Sequence, residues 1–287
     1  MMRILTLGGS ALLWGLMMIL LVRREVVPYF EYQAPPTYRS YLKGVQGPLL
    51  STADILAAGT KVGSVETLMY GDGNWTILTR LQMKARASGL HKGSGDEIQV
   101  GIKSRSYVDA FYRLYLATYD IRLSIAQITL RASREKDVLV ATYEFLVGGR
   151  RVAGGTQKIE FPPDGMIGDL FQPFPGGGPL HVGKKWKIPT LSPDLTGFRV
   201  SSLYAAVTEH QRVEWNGQMI DALRVEIRTE PTEEKRPKYV VLCREDGLAL
   251  IQQFTYENLL YEIVVRTRRT LVGTEQGRWI AEFDREP

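Results

Sequence analysis

Beyond residue 60, hydrophobic and polar positions of the chain alternate with the two-residue period of a β-strand. Successive side chains of a strand point to opposite faces of its sheet, so one face would be buried and the other solvated. The clearest run sets Trp75, Ile77, Leu81 and Met83 against Thr76, Arg80, Gln82 and Lys84. The pattern predicts a mainly β protein whose large, curved antiparallel sheet forms an open or half barrel.

Four dipeptides that favour tight turns lie between strand-like runs of the sequence. Glycine and asparagine tolerate the positive φ angles that two-residue β-hairpin loops require. The four dipeptides are Asp72-Gly73, Gly148-Gly149, Asn216-Gly217 and Asp246-Gly247. Each one predicts a hairpin between the flanking strands.

Two of these turns also predict which residues lie opposite each other. A two-residue loop at Asn216-Gly217 would bring together residues of opposite charge, which antiparallel strands favour. It pairs Arg212 with Asp221, Glu209 with Arg224, Val213 with Ile220 and His210 with Leu223. The loop at Asp246-Gly247 likewise pairs Leu242 with Ile251, Cys243 with Leu250 and Tyr239 with Phe254.

Two short segments instead predict helices. Residues 51–59 begin with a polar Ser51 and end at Gly59, which suits a helix start and stop. The second helix is predicted near 107–118, because Ser106 and Asp109 resemble a capping box. Apolar and aromatic residues then recur there at helical spacing, namely Val108, Phe111, Tyr112, Tyr115 and Tyr119. A tyrosine-rich strand is the alternative for this segment.

The N-terminus carries nineteen residues, Ile4 to Val22, without a charge, bounded by Arg3 and Arg23-Arg24. A helix of this length spans about 28 Å, close to the hydrocarbon thickness of a bilayer. We expect an uncleaved signal anchor over residues 1–22, with its transmembrane segment at 4–22. A signal peptide is the first alternative, although no small-x-small cleavage site follows, and a buried core helix is the second.

The expected location is the inner (cytoplasmic) membrane, crossed once. A short N-terminal tail is typical of signal anchors that export the downstream domain, and long domains translocate largely regardless of charge. We therefore place the C-terminal domain on the extracytoplasmic or periplasmic side.

The predicted organisation has three parts: the anchor, a proline- and aromatic-rich tether at 23–49, and a β domain at 50–287. Within the domain, a connection at 162–182 rich in proline and glycine separates two β-rich halves, roughly 55–161 and 183–283. Long loops of this kind act as lids or binding loops, or simply cross between halves.

The composition favours an ordinary folded domain, because 44% of the residues are hydrophobic and 23% are charged. The net charge of +5 is scattered, and no nucleic-acid-binding motif accompanies it. The one cysteine, Cys243, excludes an intramolecular disulfide and lies in an apolar strand, where it suits a small buried side chain.

No motif predicts catalytic, cofactor-binding or metal-binding residues, so we expect no cofactor and no enzyme. Residues 178–185 approach a phosphate-binding loop, but Lys185 replaces its hydroxyl residue and Pro179 lacks an amide hydrogen. The three histidines, His91, His181 and His210, lie too far apart in sequence for a metal-ligand motif. Carboxylate pairs such as Asp96-Glu97 and Glu233-Glu234 lie in polar segments, where solvated charge explains them.

The order of segments resembles a group of uncharacterised bacterial envelope proteins of the domain-of-unknown-function type. The resemblance covers residues 55–268 and rests on turn placement. It runs through Val182-Gly183-Lys-Lys-Trp186, Val213-Glu-Trp-Asn-Gly217-Gln-Met-Ile-Asp221-Ala, Tyr239-Val-Val-Leu and Asp246-Gly247-Leu. It implies a curved sheet like the half barrel of the periplasmic lipoprotein carriers, whose concave face could hold an acyl chain. It implies no site residues.

Two functions follow as hypotheses. In residues 138–146, Val138, Val140 and Leu146 are apolar although Leu139, Ala141, Tyr143 and Phe145 already supply an apolar face. Two apolar faces indicate two buried surfaces, or one core and one ligand groove. The first hypothesis is a membrane-anchored binding module for a lipid or other apolar ligand. The alternative is a structural or interaction subunit of an envelope complex, whose partners are proteins.

Overall fold

The computed structural model describes residues 13–22, 37–86, 97–136, 138–162, 165–167, 179–194, 197–231, 236–256 and 258–285. Within these ranges, fifteen strands form one curved, unclosed sheet. The strands are β1 (Leu49–Ala57), β2 (Thr60–Asp72), β3 (Asn74–Arg86), β4 (Glu97–Val108), β5 (Leu114–Leu123), β6 (Ala126–Glu135), β7 (Val138–Val147), β8 (Arg150–Glu160), β9 (Met166–Ile167), β10 (Lys185–Asp194), β11 (Gly197–Trp215), β12 (Gln218–Arg228), β13 (Tyr239–Cys243), β14 (Ala249–Tyr256) and β15 (Leu259–Thr270). Helix α1 (Tyr38–Leu42) precedes the sheet, and helix α2 (Gly273–Arg285) follows it.

Two antiparallel meanders make up the sheet, as the alternating pattern predicts. Strands β1 to β8 follow one another in sequence on one side, and β15 back to β10 do so on the other. The meanders join where β1 pairs with β15, so the first and last strands lie in the middle of the sheet. The two-residue β9 pairs in parallel with β10 and forms one edge, and β8 forms the other.

The hairpin at Asn216-Gly217 has the predicted register at all four predicted pairs. Both turn residues adopt positive φ, 51° and 77°, as the dipeptide predicts. Gly148 and Gly149 do the same between β7 and β8, with φ of 55° and 76°. Local turn chemistry therefore determines these two strand pairings.

The other two predicted turns form with different loop lengths. Around Gly73, Asp72 lies opposite Asn74, so the loop is not the expected two-residue type. After β13, Leu242 pairs with Ile251 and Tyr239 with Phe254 as predicted. The prediction for Cys243 is wrong: it pairs with Ala249, because the register shifts after Leu242.

The helix predicted at 51–59 is wrong, since these residues form most of β1 and the turn after it. Ser51, Ala53 and Ile55 are buried, and the residues between them are only partly buried. The sequence does not reveal this alternation, because the inward Ser51 is itself polar. β2 and β15 pair with β1 on its two sides and satisfy its backbone groups. Tertiary pairing here overrides the cap-like residues at the ends.

The helix predicted near 107–118 is also wrong, and the tyrosine-rich strand alternative holds only in part, because a turn separates two strands here. β4 continues to Val108 and β5 begins at Leu114. Asp109 Oδ1 accepts hydrogen bonds from the backbone N–H of Phe111, at 2.9 Å, and of Arg113, at 2.8 Å. Asp109 therefore closes a turn rather than capping a helix.

Most buried apolar side chains lie on the inner face of the sheet, which we define as the face that carries the largest core cluster. The predicted alternation along β3 holds there for Trp75, Ile77 and Leu81. The outer face has two further cores. Helix α2 covers one of them through Trp279 and Phe283.

The second outer core lies under the tip of the β11–β12 hairpin, which folds back over β13 to β15. Val213 and Ala222 of the hairpin pack with Leu242 and Val264 in this core. Trp215 Nε1 donates a hydrogen bond to the Val265 carbonyl oxygen at 2.7 Å. The curvature of the sheet thus lets an apolar outer surface be buried by the chain itself.

The tether and connection differ from the prediction where they are described. Residues 38–42 form α1 within the segment expected to be irregular, and β1 begins at Leu49, one residue before the predicted boundary of the domain. The short β9 lies inside the predicted 162–182 connection. Residues 23–36, 163–164 and 168–178 lie outside the described residues.

The predicted anchor is described only from residue 13 to residue 22, where 13–21 are helical. Among the residues that the structure describes, no helix has the length and apolar character needed to cross a membrane. Residues 4–12 of the predicted segment lie outside the described ranges.

Candidate functional site

Five adjacent strands, β1 to β5, place hydroxyl groups in one row across the inner face. The register pairs are Ser51 with Thr67, Thr67 with Thr79, Thr79 with Ser104 and Ser104 with Tyr119. We call these five residues the hydroxyl row. Apolar residues flank it along most of these strands, such as Ile77 and Leu81 on either side of Thr79. On β4 the neighbour of Ser104 on one side is Ser106. The row is therefore a polar stripe in a largely apolar surface.

The hydroxyl row is deeply buried, which is unusual for serine and threonine. Ser104 is only 1% exposed, and within the described residues its Oγ atom has no hydrogen-bond partner. Thr67 and Thr79 share a hydrogen bond of 3.2 Å between their Oγ1 atoms. An unsatisfied buried hydroxyl costs about 1–3 kcal/mol, so Ser104 is the residue of this row that most needs an explanation.

A second row of small side chains lies beside the first, one register step away on β4 to β7. Ser106 pairs with Ala117, Ala117 with Ala132, and Ala132 with Ala141. All four residues are buried. Apart from Tyr119, the two rows make a region of the inner face that consists of short side chains.

The two halves of the sheet meet opposite this region, at the seam where the sheet does not close. The ring of Phe198, at the start of β11, lies edge-on to Tyr119, with 6.1 Å between the ring centroids. Gln157 Nε2, on β8, donates a hydrogen bond of 2.6 Å to the Phe198 carbonyl oxygen. Phe198 thus bridges a seam that no strand ladder closes among the described residues.

Helix α1 packs against the same inner core. Tyr38 and Leu42 are buried within it, and Tyr41 is partly buried beside it. Burial raises the pKa of the Tyr41 phenol, and the nearby positive charge of Arg268 opposes that rise. Tyr41 therefore stays neutral at physiological pH and presents a hydroxyl in an apolar setting.

The second apolar face predicted on β7 is only half-buried, since Val138, Val140 and Leu146 are neither fully exposed nor enclosed. On the opposite face, Leu139 and Ala141 belong to the inner core. On β7, the inner face is therefore more deeply buried than the outer face.

The histidines and the candidate phosphate-binding loop do not form a metal or phosphate site among the described residues. His181 and His210 are exposed, His210 lies opposite Leu223 as predicted, and His91 is outside the described residues. No cluster of three possible metal ligands occurs among the described residues. Lys185 begins a strand, β10, and not the helix that a phosphate-binding loop precedes.

Cys243 is buried, as its apolar strand predicts. Burial raises the pKa of its thiol to about 12, with a smaller contribution from the negative charge of Asp246. The thiol is therefore protonated at neutral pH and is not a nucleophile.

The sequence analysis does not predict the hydroxyl row, although polar residues at inward strand positions indicate it. Thr79 lies between Ile77 and Leu81 at the inward positions of β3, and Thr67 lies between Val65 and Met69 in β2. A polar residue at an inward position is a local exception to the strand pattern. Only the register shows that exceptions from several strands are neighbours.

No protein-family model and no curated protein matches the chain. A search of solved structures finds a likeness to the crystal structure of a beta-barrel-like protein of domain of unknown function DUF1849 from Brucella abortus. The identity is 9%, the match covers 79% of this chain and 98% of that one, and the TM-score is 0.48. At this TM-score the likeness carries no conclusion about a ligand. It does not support the resemblance to lipoprotein carriers in particular.

Proposed function

We propose that the protein is a membrane-anchored binding module for an amphipathic, lipid-like ligand held against the inner face of its sheet. The observation that carries the proposal is the hydroxyl row within a largely apolar surface. Ligand sites of this class are mostly apolar, with a few polar groups that fix orientation. An acyl chain would contact the apolar inner face, and the hydroxyl row would meet the ligand's polar group.

Ser104 supports this proposal most directly. Its hydroxyl is buried without a partner among the described residues. A bound ester, carboxylate or hydroxyl group would supply the missing hydrogen bond. The neighbouring side chains of Ser106 and Ala117, on β4 and β5, are small.

The anchor is the second part of the proposal, and the uncharged run from Ile4 to Val22 supports it. A tethered module cannot shuttle between membranes, so it would present or receive its ligand at one membrane. Fractionation with alkaline extraction, followed by N-terminal sequencing, tests this part. Release of the chain by alkali, or a mature N-terminus beyond residue 22, would contradict an uncleaved anchor.

The ligand is tested by purifying the full-length protein in a synthetic detergent, extracting it with organic solvent and identifying lipids by mass spectrometry. A fusion of residues 1–36 to an unrelated soluble domain corrects for lipid that adheres to the N-terminal segment. We expect about one lipid per chain above this control. Recovery of no more lipid than the fusion retains would reject the proposal.

Ser104→Ala gives a sharper comparison in the same assay. We expect it to fold normally and to retain less of the ligand, because the orienting hydroxyl is lost. Thr129→Val is the matched control, since Thr129 is exposed on β6 and lies outside the inner core. Equal retention by Ser104→Ala and the control would show that the row does not contact the ligand.

The contact between Tyr119 and Phe198 favours the alternative function, an interaction subunit of an envelope complex. The two rings occupy part of the space between the halves and join them into one core. In that case no lipid co-purifies, and affinity purification of the full-length protein from membranes recovers protein partners in defined stoichiometry.

A further inference from the structure

A depression on the outer face of β3, β4 and β5 lies apart from the inner core. It is small and open to solvent. The polar side chains around it are those of Arg80 and Gln82 on β3, Lys103 on β4, and Asp120 and Arg122 on β5, and Gly101 lies among them. The strand register brings these residues together in two rows across β3, β4 and β5. One row is Gln82, Gly101 and Arg122, and the other is Arg80, Lys103 and Asp120.

The absence of a side chain at Gly101 opens this depression. A glycine inside a strand usually marks a bulge, a tight bend, or a position that a ligand or another backbone approaches closely. The ladders on both sides of Gly101 are regular, which excludes a bulge. A Cβ atom at this position would meet nothing within 4 Å, and the backbone has no positive φ that demands glycine. Neighbouring protein atoms therefore do not require this glycine.

Ion pairs hold the charged groups around the depression in place. Arg80 Nη2 lies 2.6 Å from Glu66 Oε2, and the guanidinium stacks over the ring of Trp279 at 5.6 Å. Asp120 pairs with Arg122 at 3.1 Å and accepts a hydrogen bond from Gln127 at 3.1 Å. These contacts fix the side chains before any ligand arrives, which lowers the entropic cost of binding.

The lining has an excess of positive charge, with three cations and one carboxylate. The Arg122 side chain is 41% exposed, and its ion pair with Asp120 uses Nη2. Arg80 donates to Glu66, and Lys103 donates to the Phe283 carbonyl oxygen. Arg122 therefore supplies the donors that suit the oxygens of a phosphate group, and the other two cations add positive charge beside it. The site is small, so it suits a single phosphate group better than an extended anion.

We propose that this Gly101 depression binds a phosphate monoester or inorganic phosphate group, with Arg122 as its main exposed donor. The two sources of this chemistry are a free phosphate and the headgroup of an anionic lipid. The proposal does not depend on a ligand at the inner face, because the depression is on the opposite side of the sheet.

Isothermal titration of the full-length protein in a phosphate-free, uncharged detergent tests the site. One arm uses inorganic phosphate, and the other uses a short-chain phosphatidic acid. We expect Arg122→Gln to weaken binding about tenfold, as expected for loss of a charge-assisted hydrogen bond, and Gly101→Val to abolish it by filling the depression. Arg131→Gln is the control, since Arg131 is exposed on β6 and does not line the depression.

Binding in either arm that follows this order of variants supports the site, and the stronger arm identifies the source of the phosphate. Gly101→Val should keep or raise the melting temperature, because valine suits a strand and has open space there. Absence of binding in both arms, or equal binding by Gly101→Val and the wild type, would overturn the proposal.

Discussion

Arg266 donates a hydrogen bond from Nε to Oδ2 of Asp54 at 2.8 Å, although 212 residues separate them in the chain. Asp54 lies in the first strand and Arg266 in the last, at the junction of the two meanders. The guanidinium also donates to the side-chain oxygen of Asn216 at 3.2 Å, and Asn216 Nδ2 donates to the Arg266 carbonyl oxygen at 3.0 Å. The contact therefore fastens the β11–β12 turn to the strands that hold the whole sheet together.

The same contact predicts a pH dependence of stability. Burial raises the pKa of Asp54, but hydrogen bonds and charges from Lys61 and Arg266 outweigh it and hold the pKa below its usual value. A depressed carboxyl pKa stabilises the fold above the unfolded-state pKa, near 4, and this contribution disappears as the pH falls through the folded-state value. We expect Asp54→Asn to lower the free energy of unfolding by about 1 kcal/mol at pH 7.

Urea unfolding of Asp54→Asn and the wild type between pH 7 and pH 3 measures this effect. The difference should be constant above about pH 5 and shrink below about pH 4. Asp221→Asn is the control, because its pair with Arg212 is largely exposed and worth little. If the difference in the free energy of unfolding between Asp54→Asn and the wild type does not change with pH, the charge of Asp54 does not stabilise the fold.

Substitution of glycine by alanine should change the stability in opposite directions at Gly217 and at Gly277. Gly217 has a φ of +77° in its hairpin turn, so Gly217→Ala should destabilise by about 1–2 kcal/mol. Gly277 lies exposed inside α2 with nothing near its Cβ position, so Gly277→Ala should stabilise by about 0.5–1 kcal/mol. Thermal unfolding of both variants checks the signs. A stabilised Gly217→Ala would contradict the turn conformation.

The C-terminal helix should contribute strongly to stability although it lies outside the sheet. Phe283 is fully buried and stacks on Trp279, with 5.3 Å between the ring centroids. Lys103 reinforces the end of the helix by donating to the Phe283 carbonyl oxygen. We expect Phe283→Ala to cost about 3 kcal/mol in urea unfolding. Val272→Ala, at a position that is 70% exposed, should change stability by less than about 0.5 kcal/mol.

The thiol of Cys243 should be inert in the folded protein. Burial raises its pKa to about 12, so at pH 8 only about one molecule in ten thousand carries the thiolate. We expect a disulfide reagent such as Ellman's to label the native protein only as fast as it unfolds, and to label one thiol per chain in guanidinium. Rapid labelling of the native state would show that the strand around Cys243 opens locally.

Ser104→Ala gives a stability test of the hydroxyl row that needs no ligand. Since Ser104 Oγ has no partner among the described residues, its removal from ligand-free protein should be neutral or slightly stabilising. Thr79→Val should instead destabilise by about 1 kcal/mol, because Thr67 then loses its hydrogen-bond partner. Calorimetry of delipidated protein measures both. A large loss in Ser104→Ala would mean that its hydroxyl already has a partner.

How far the sequence predicts the fold depends on how local each interaction is. Asn216 and Gly217 are adjacent and adopt positive φ by their own chemistry, so the register of their hairpin follows from the sequence. Residues 51–59 show the opposite case. Their serine and glycine suit the ends of a helix, but β2 and β15 pair with the segment on both sides and make it a strand. β15 is too distant in sequence for any local pattern to reveal this.

The candidate site shows the same division. The sequence by itself determined the strand alternation, the turns at Gly148-Gly149 and Asn216-Gly217, and the burial of Cys243, because each depends on neighbouring residues or on apolar character. It also contained the hydroxyls of Thr67 and Thr79 at inward positions. Tertiary structure alone decided that five strands bring hydroxyls into one row, that the β11–β12 hairpin folds over β15, and that α2 covers one part of the outer face. Those relationships depend on register and sheet curvature, which many distant contacts determine together.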